Sequence, residues 1–338
     1  MKIRSLAIVG IVILISISIF AIFVGSIQTS HENKIRIAFF PNIGHLIPIV
    51  GFETGIFSNS FGNQTAIESY IFDSGPQVIE SLFAKSVDLA YVGPGPVING
   101  FLQSDKKDLK ILAGAASGGA SFIIHPNSEI NSTRDLVDKR IAAPPIGNTQ
   151  DVSLRTFLSE NGLKPAEKGG SVVVLNTANA EIFTLFAKGD IDAAWIPEPW
   201  ATVLIEQLNG KRLFYEEELW PNQQFASVLL IGRTEFIEKN PEIVNEWIKT
   251  HNEIVSWIND HPKETKTIFQ QFLKNELGRT IPEKIIDESF SNIEITSDPI
   301  SDSIYTFAER ANSLGYLGRD GYDLNGIFYN AISYGDGI

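Results

Sequence analysis

The chain of 338 residues contains no cysteine, and that absence removes several classes of protein at once. Disulfide scaffolds, thiolate metal sites, iron–sulfur clusters and a lipid-modified N-terminal cysteine are all excluded. Histidine is scarce as well, and its five scattered copies do not make a metal site. Basic residues are outnumbered, 27 Lys and Arg against 40 Asp and Glu, which gives a formal charge of -13. Such a surface repels phosphate backbones, and no basic stripe interleaved with aromatics offsets it, so no nucleic-acid partner is expected. Catalytic signatures are also missing: there is no G-x-S-x-G, no Walker A sequence, no G-x-G-x-x-G after a strand and no H-E-x-x-H. The expectation is therefore a protein that is not an enzyme, with no catalytic residues, no metal and no cofactor.

With 43% hydrophobic residues and 10% aromatics, the body reads as globular rather than disordered, and its length suggests two compact units. One long apolar run stands out. Residues 5–27 carry no charge and follow the basic start MKIR, a stretch long enough to cross a bilayer of roughly 30 Å as a helix. Lys2 and Arg4 would stay in the cytoplasm, so the body would lie outside it. A retained transmembrane anchor is expected, because the run exceeds the usual signal-peptide core of about 7–15 residues. A cleaved signal segment, processed near Val24-Gly25-Ser26 and giving a secreted form, is the alternative. Residues 1–33 are accordingly assigned to anchor or signal plus linker.

Beyond that point strands and helices alternate, the pattern of helices packed on mostly parallel sheets. IRIAFF, AIESYIF, LAYV, RIAA and SVVVL read as strands, and TQDVSLRTFLSENG as a helix stopped by Gly162. After residue 233 the chain reads as nearly all helix, with candidates at 241–259, 262–275 and 301–314.

One sentence is written twice: LFAKSVDLAYVGPGP at 82–96 and LFAKGDIDAAWIPEPW at 185–200. Each copy reads as an amphipathic helix ending at Lys, a turn carrying an Asp (Asp88, Asp192), a short strand and a Gly/Pro-rich loop. A period of about a hundred residues is too long for a solenoid and fits two similar α/β lobes. Ligands of open α/β sheets sit beyond the carboxyl ends of the strands, so the two loops are expected on opposite walls of one cleft. The extended stretches at 111–126 and 226–236 would be the two crossings of a double hinge, an architecture that closes around small ligands.

Several groups are candidates for that cleft. GNTQD, with Asn148, Thr149 and Gln150, opens a helix, and free N–H groups at such a start suit an anion; an ordinary N-cap is the competing role. Gly93, Pro94 and Gly95 follow the third strand, where only the non-proline amides can donate. Glu198 between Trp195 and Trp200 would attract an amine by charge and aromatic faces, although tryptophans are more often core. His45 lies in the first strand-to-helix loop, at the same sheet edge. An anion at one wall and an amine at the other would together suit a zwitterion such as an aminosulfonate. Asp88, Asp190 and Asp192 read as structural turn residues.

These blocks, with FPNIGHLIPIVGFETGIF and AGAASGGASFIIHP, in this order, resemble the solute-binding proteins of ABC importers for nitrate, taurine and aliphatic sulfonates. The resemblance covers about residues 35–235 strongly and the helical tail loosely. It implies a bilobed periplasmic-binding-protein fold of type II-like α/β architecture. Residues 34–120 and 232–338 would form the first lobe and 121–231 the second. It also implies a small anionic or zwitterionic ligand in the cleft, and a membrane permease with its ATPase as partners. By position it adds Ser117, Gly118 and Gly119 to the candidate contacts. Many members place a Ser or Thr hydroxyl in the loop after the third strand, where this chain has only Gly and Pro. The same fold also resembles enzymes and precursor-binding proteins of thiamine pyrimidine synthesis, but the cysteine-rich signature of the synthase is missing here.

Overall fold

The computed structural model describes residues 33–62, 65–278, 280–318 and 321–329, so the apolar run at 5–27 lies outside the described residues. Among the described residues eleven strands form two sheets. The first holds β1 (Asn33–Phe39), β2 (Thr65–Ile71), β3 (Leu89–Val92), β4 (Leu109–Gly118), β10 (Ala226–Arg233) and β11 (Ile293–Ile295), in the order β11-β4-β10-β3-β1-β2. The second holds β5 (Ala120–Ile124), β6 (Arg140–Ala143), β7 (Val173–Asn176), β8 (Ala193–Pro197) and β9 (Lys211–Tyr215), in the order β7-β6-β8-β5-β9.

The sheets share one plan. Three parallel strands, β2-β1-β3 or β7-β6-β8, are followed by an antiparallel strand, β10 or β5. A further antiparallel strand, β4 or β9, closes the pattern. The fourth strand of each sheet is thus reached from a strand of the other sheet, and the chain crosses twice. The first crossing, β4 to β5, turns at Gly118 and Gly119, whose φ values of 73° and 77° lie in the left-handed region that favours glycine. The second, β9 to β10, runs through short helical turns at Glu216–Leu219 and Pro221–Gln223. The return comes earlier than the expected residue 232. Ala226 already pairs with Ser117 in the first sheet, because β10 needs its full length to lie against β4.

Helices cover both faces of each sheet. In the first lobe α1 (Leu46–Glu53), α2 (Ile56–Phe61), α3 (Gly75–Phe83) and α4 (Pro94–Gln103) lie between the early strands. In the second, α5 (Thr149–Glu160), α6 (Asn179–Lys188) and α7 (Trp200–Leu208) take the matching places. The tail adds α8 (Thr234–Lys239), α9 (Pro241–Asp260), α10 (Pro262–Leu277), α11 (Glu283–Ser291) and α12 (Ser301–Ser313). Strand residues alternate between the two layers of core, as the period of two requires. Ile141, Ala143 and Trp195 pack with Phe122 and Phe157 on one side of the second sheet, whereas Ala142, Ala194 and Ile196 pack with Phe186 and Leu204 on the other. In the first lobe Leu230 joins Tyr91 and Trp247, while Leu229 and Ile231 join Phe101 and Phe307.

The repeated sentence has a structural cause. Asp88 and Asp192 each accept a hydrogen bond from the backbone N–H of an arginine 52 positions earlier, Arg36 on β1 and Arg140 on β6. Each aspartate returns its own N–H to the same arginine's carbonyl. This reciprocal clasp registers the third parallel strand against the first in both lobes. The GPGP segment differs from its expected loop form: Gly93 is the N-cap and Pro94 opens α4. Proline fits there because the first helical N–H has no intrahelical acceptor to lose.

Candidate functional site

The space between the lobes is lined by the residues that follow the parallel strands. From the first lobe come Phe40, Asn42, Gly44 and His45 after β1, Asp73 after β2 and Gly93 after β3. From the second come Pro144 and Asn148–Gln150 after β6, Asn179 after β7, and Pro197 and Glu198 at the end of β8. Gly118, Gly119, Ser227, Val228 and Ile293 close the floor. The cleft is narrow, with an internal cavity of about 70 Å³.

Among the described residues no Lys or Arg lines the cleft, whereas the carboxylates Asp73 and Glu198 do. Helices α3, α4, α5 and α6 all start at its wall, and their N-terminal turns carry partial positive charge. His45 is buried, and its Nδ1 accepts the Phe40 N–H at 3.3 Å. Burial pushes its pKa down to about 3, so near neutral pH the ring is uncharged. Nδ1 being an acceptor, the proton sits on Nε2, the nitrogen left for a ligand oxygen. Asn179 Oδ1 and Ser227 Oγ are buried without any protein partner, and both residues line the cleft. Buried polar atoms seldom go unpaired, and both of these belong to residues that line the cleft.

The lobes touch across the cleft. Asn148 Oδ1 accepts the Gly75 N–H at 2.9 Å, and Thr149 Oγ1 accepts the Gly95 N–H at 3.4 Å. A Cβ built on Gly93 would stand 2.4 Å from Thr149 Oγ1. The hydroxyl absent from the GPGP segment is thus supplied by the opposite lobe, which needs glycine at 93 to approach. Farther out, Tyr316 Oη donates to Asp151 Oδ2 at 3.0 Å, a further bond between the lobes.

The structure brings His45, Gly93, Gly118, Gly119, Asn148, Thr149, Gln150 and Glu198 to one cleft. It does not bring the other five. Pro94 and Gly95 are buried inside the first turn of α4, and Ser117 is buried in β4. Trp195 is a correction to the expected aromatic wall. It is fully buried among Phe122, Phe157 and Phe214, and its Nε1–H donates to Glu216 at 2.6 Å. It lies within β8, both of whose faces are covered by core, and only the strand's end at Pro197 reaches the cleft. Trp200 lines a separate hollow beside the cleft.

Glu198 reaches the cleft with its charge already matched. Its Oε1 accepts from Thr202 Oγ1 at 3.0 Å, Asn292 Nδ2 at 2.8 Å and Arg212 Nη2 at 3.2 Å, and Oε2 accepts the Thr202 N–H at 3.0 Å. It caps α7 and ties the second lobe to Asn292 of the first. Asp73, by contrast, is exposed and has no hydrogen-bond or ion-pair partner among the described residues. Asn42, Asp73, Asn179 and Ser227 were not singled out from the sequence. The first three follow a parallel strand, so the strand-end rule that pointed to His45 and Asn148 applies to them; Ser227 carries no such signal.

This arrangement is that of the bilobed solute-binding fold, with its ligand space at the carboxyl edges of two opposed sheets. The chain belongs to the NMT1-like family, whose model matches residues 28–273. Among curated relatives it is similar to the putative aliphatic sulfonates-binding protein of Bacillus subtilis (strain 168), 24% identical over 302 residues, 87% of this chain and 86% of that protein. It is similar also to the taurine-binding periplasmic protein of Escherichia coli (strain K12), 28% identical over 179 residues, 53% of each chain. Among solved structures, the alkanesulfonate-binding protein SsuA from Xanthomonas axonopodis pv. citri bound to MOPS superposes with a TM-score of 0.71 at 18% identity, covering 85% of this chain and 95% of that one.

Proposed function

We propose that the protein is an extracytoplasmic solute-binding protein that captures a small organic anion or zwitterion, of the sulfonate or taurine kind, or nitrate, between its lobes and hands it to an ABC permease. The observation that carries this reading is a cleft bordered by helix starts, whose lining includes His45 and two residues with buried unpaired oxygens, Ser227 Oγ and Asn179 Oδ1. An oxyanion there takes the His45 Nε2–H, the Ser227 hydroxyl and open N–H groups of α5, while Asn179 Oδ1, an acceptor, suits a donor group of the ligand such as an amine. The carboxylate for an amine is Asp73 rather than Glu198, whose charge is matched by Arg212. The apolar run at 5–27 tethers the body to the membrane; recovery of a soluble form starting near Ile27 from the native host would argue instead for a cleaved signal.

A thermal-shift screen over alkanesulfonates, taurine and nitrate tests the ligand class. A true ligand at 100 times its Kd raises stability by about 2.7 kcal/mol. Asn179→Ala should weaken the ligand about fivefold to tenfold without lowering the melting temperature of the free protein, the usual scale for one hydrogen bond. If none of these anions shifts the transition, the reading fails.

A further inference from the structure

Helix α5 faces two ways. Its start brings Asn148, Thr149 and Gln150 to the cleft, while the next two residues, Asp151 and Val152, are buried and do not line it. Val152 sits on a helix of the second lobe, yet it packs into the core of the first, in the cluster that holds Phe101, Phe307 and Ala311. Asp151 is fully buried beside it. Its Oδ1 accepts from Arg155 Nε at 2.7 Å and from Asn176 Nδ2 at 2.9 Å, both within the second lobe. Its Oδ2 accepts the Gly147 N–H at 3.0 Å and the Tyr316 hydroxyl at 3.0 Å. Tyr316 follows α12 and packs on the same first-lobe cluster. Asn176 donates as well to the carbonyl of Pro144, a cleft residue, at 2.8 Å. The carboxylate that receives Tyr316 is therefore tied to both ends of the loop between β6 and α5. Separating the lobes would expose Val152 and strip one donor from a buried charge, and both changes cost free energy.

We propose that Val152 and the Asp151–Tyr316 bond form a latch that holds the lobes closed whether or not a solute is bound. Asp151, Val152 and Tyr316 do not line the cleft, so the latch favours the closed form independently of any ligand. The free chain is then largely closed, and a solute leaves only as fast as the latch opens. Asp151 is also a positioning residue: through Gly147 and Asn176 it shapes the α5 wall of the cleft in the same act that receives Tyr316.

The test reads lobe separation directly and needs no ligand. Because the chain contains no cysteine, Lys107→Cys and Lys188→Cys in the full chain provide two unique sites for spin labels. Both residues are exposed; one follows α4 and the other ends α6, so they lie at the far ends of helices that start at the cleft wall. Pulsed electron spin resonance then gives the ratio of closed to open distances. A short-distance population should dominate in the free parent. Tyr316→Phe, which keeps the ring and its packing, should lower the closed-to-open ratio by about tenfold, the scale of one hydrogen bond to a buried carboxylate. Val152→Ala should lower it by about tenfold as well, by loss of apolar contact, and carries the test if the first variant does not fold. A ratio that Tyr316→Phe leaves unchanged would overturn the latch, as would a free parent chain that is wholly open.

Discussion

In the first lobe Asp88 is held by the Arg36 N–H, by the Arg36 guanidinium at 2.9 and 2.8 Å, and by Arg233 at 2.8 Å. In the second, Asp192 is held by the Arg140 N–H at 2.8 Å and meets the Arg140 side chain only at 3.5 Å. The place of Arg233 is taken there by His125: each donates its backbone N–H to the aspartate carbonyl. The His125 ring turns away, however, its Nδ1 accepting from Asn127. The backbone task is the same and the burial is not, since the Asp88 side chain is 2% exposed and that of Asp192 23%. The fully buried Trp247 and Phe269 of the C-terminal helices belong to the core of the first lobe, whereas among the described residues the two core clusters of the second lobe contain none from those helices. A motif repeated in sequence thus performs one geometric task at two energetic levels, set by what later chain folds over it.

The largest expected effect tests that difference. Asp88→Ala leaves two guanidinium groups without their buried partner and should cost about 3–5 kcal/mol, whereas Asp192→Ala should cost about 1–2 kcal/mol, the scale of its backbone hydrogen bond. Denaturant unfolding of the two variants measures both, and equal losses would break the comparison.

A smaller effect concerns pH. The two histidines that burial drives down, His45 to about 3 and His251 to about 4, both belong to the first lobe. Their unfolded pKa is near 6.5, so the unfolded chain binds protons that the folded one refuses. The stability they contribute is present above pH 6.5 and is lost as pH falls, reaching about 2 kcal/mol for each by pH 5. Burial drives Glu216, beside the second crossing, the other way. Its neutral form favours the fold at acid pH, and it costs stability as it ionises above the ordinary carboxylate range. Thermal unfolding at pH 7 and pH 5 should show a net fall, reduced in His251→Asn; no fall would show that these rings are not held neutral.

The smallest effect tests the hydroxyl lent across the cleft. Gly93→Ala should raise the ligand Kd about tenfold, about 1.4 kcal/mol, by pushing against Thr149 Oγ1. Adding Thr149→Ala should restore most of the loss, because the obstructing atom is gone. A Gly93→Ala chain that binds normally would mean that the lobes need not approach so closely there.

Much of the fold was legible because it is written in short-range pattern. The Asp-bearing turns, the alternating strand residues, the start of α5 at Thr149 and the apolar faces of α9, α10 and α12 each depend on neighbours within a few residues. The strand-end rule likewise led to His45, Gly93 and Asn148. It stopped short at Asn179 and Asp73, since Asn and Asp at a helix start look like ordinary turn residues until their partners can be inspected.

The sequence by itself determined two similar α/β units, the lack of any cysteine, and a helix start at GNTQD. Tertiary structure decided which polar groups remain free. Glu198 looks like an open charge in WIPEPW, yet Arg212 reaches it from β9 of the same lobe, 14 residues on, and Asn292 reaches it from the first lobe, 94 residues on, after the chain has crossed back. Trp195 and Pro197 lie two residues apart on β8, but the core closes over the first while the cleft receives the second. Ser227 shows no signal in its neighbours and becomes a cleft residue because β10 returns beneath the second lobe's loops. Local pattern fixes hydrogen bonds and burial over a few residues; a side chain's charge balance and vacancy depend on groups far along the chain, which only the closed three-dimensional path brings within reach.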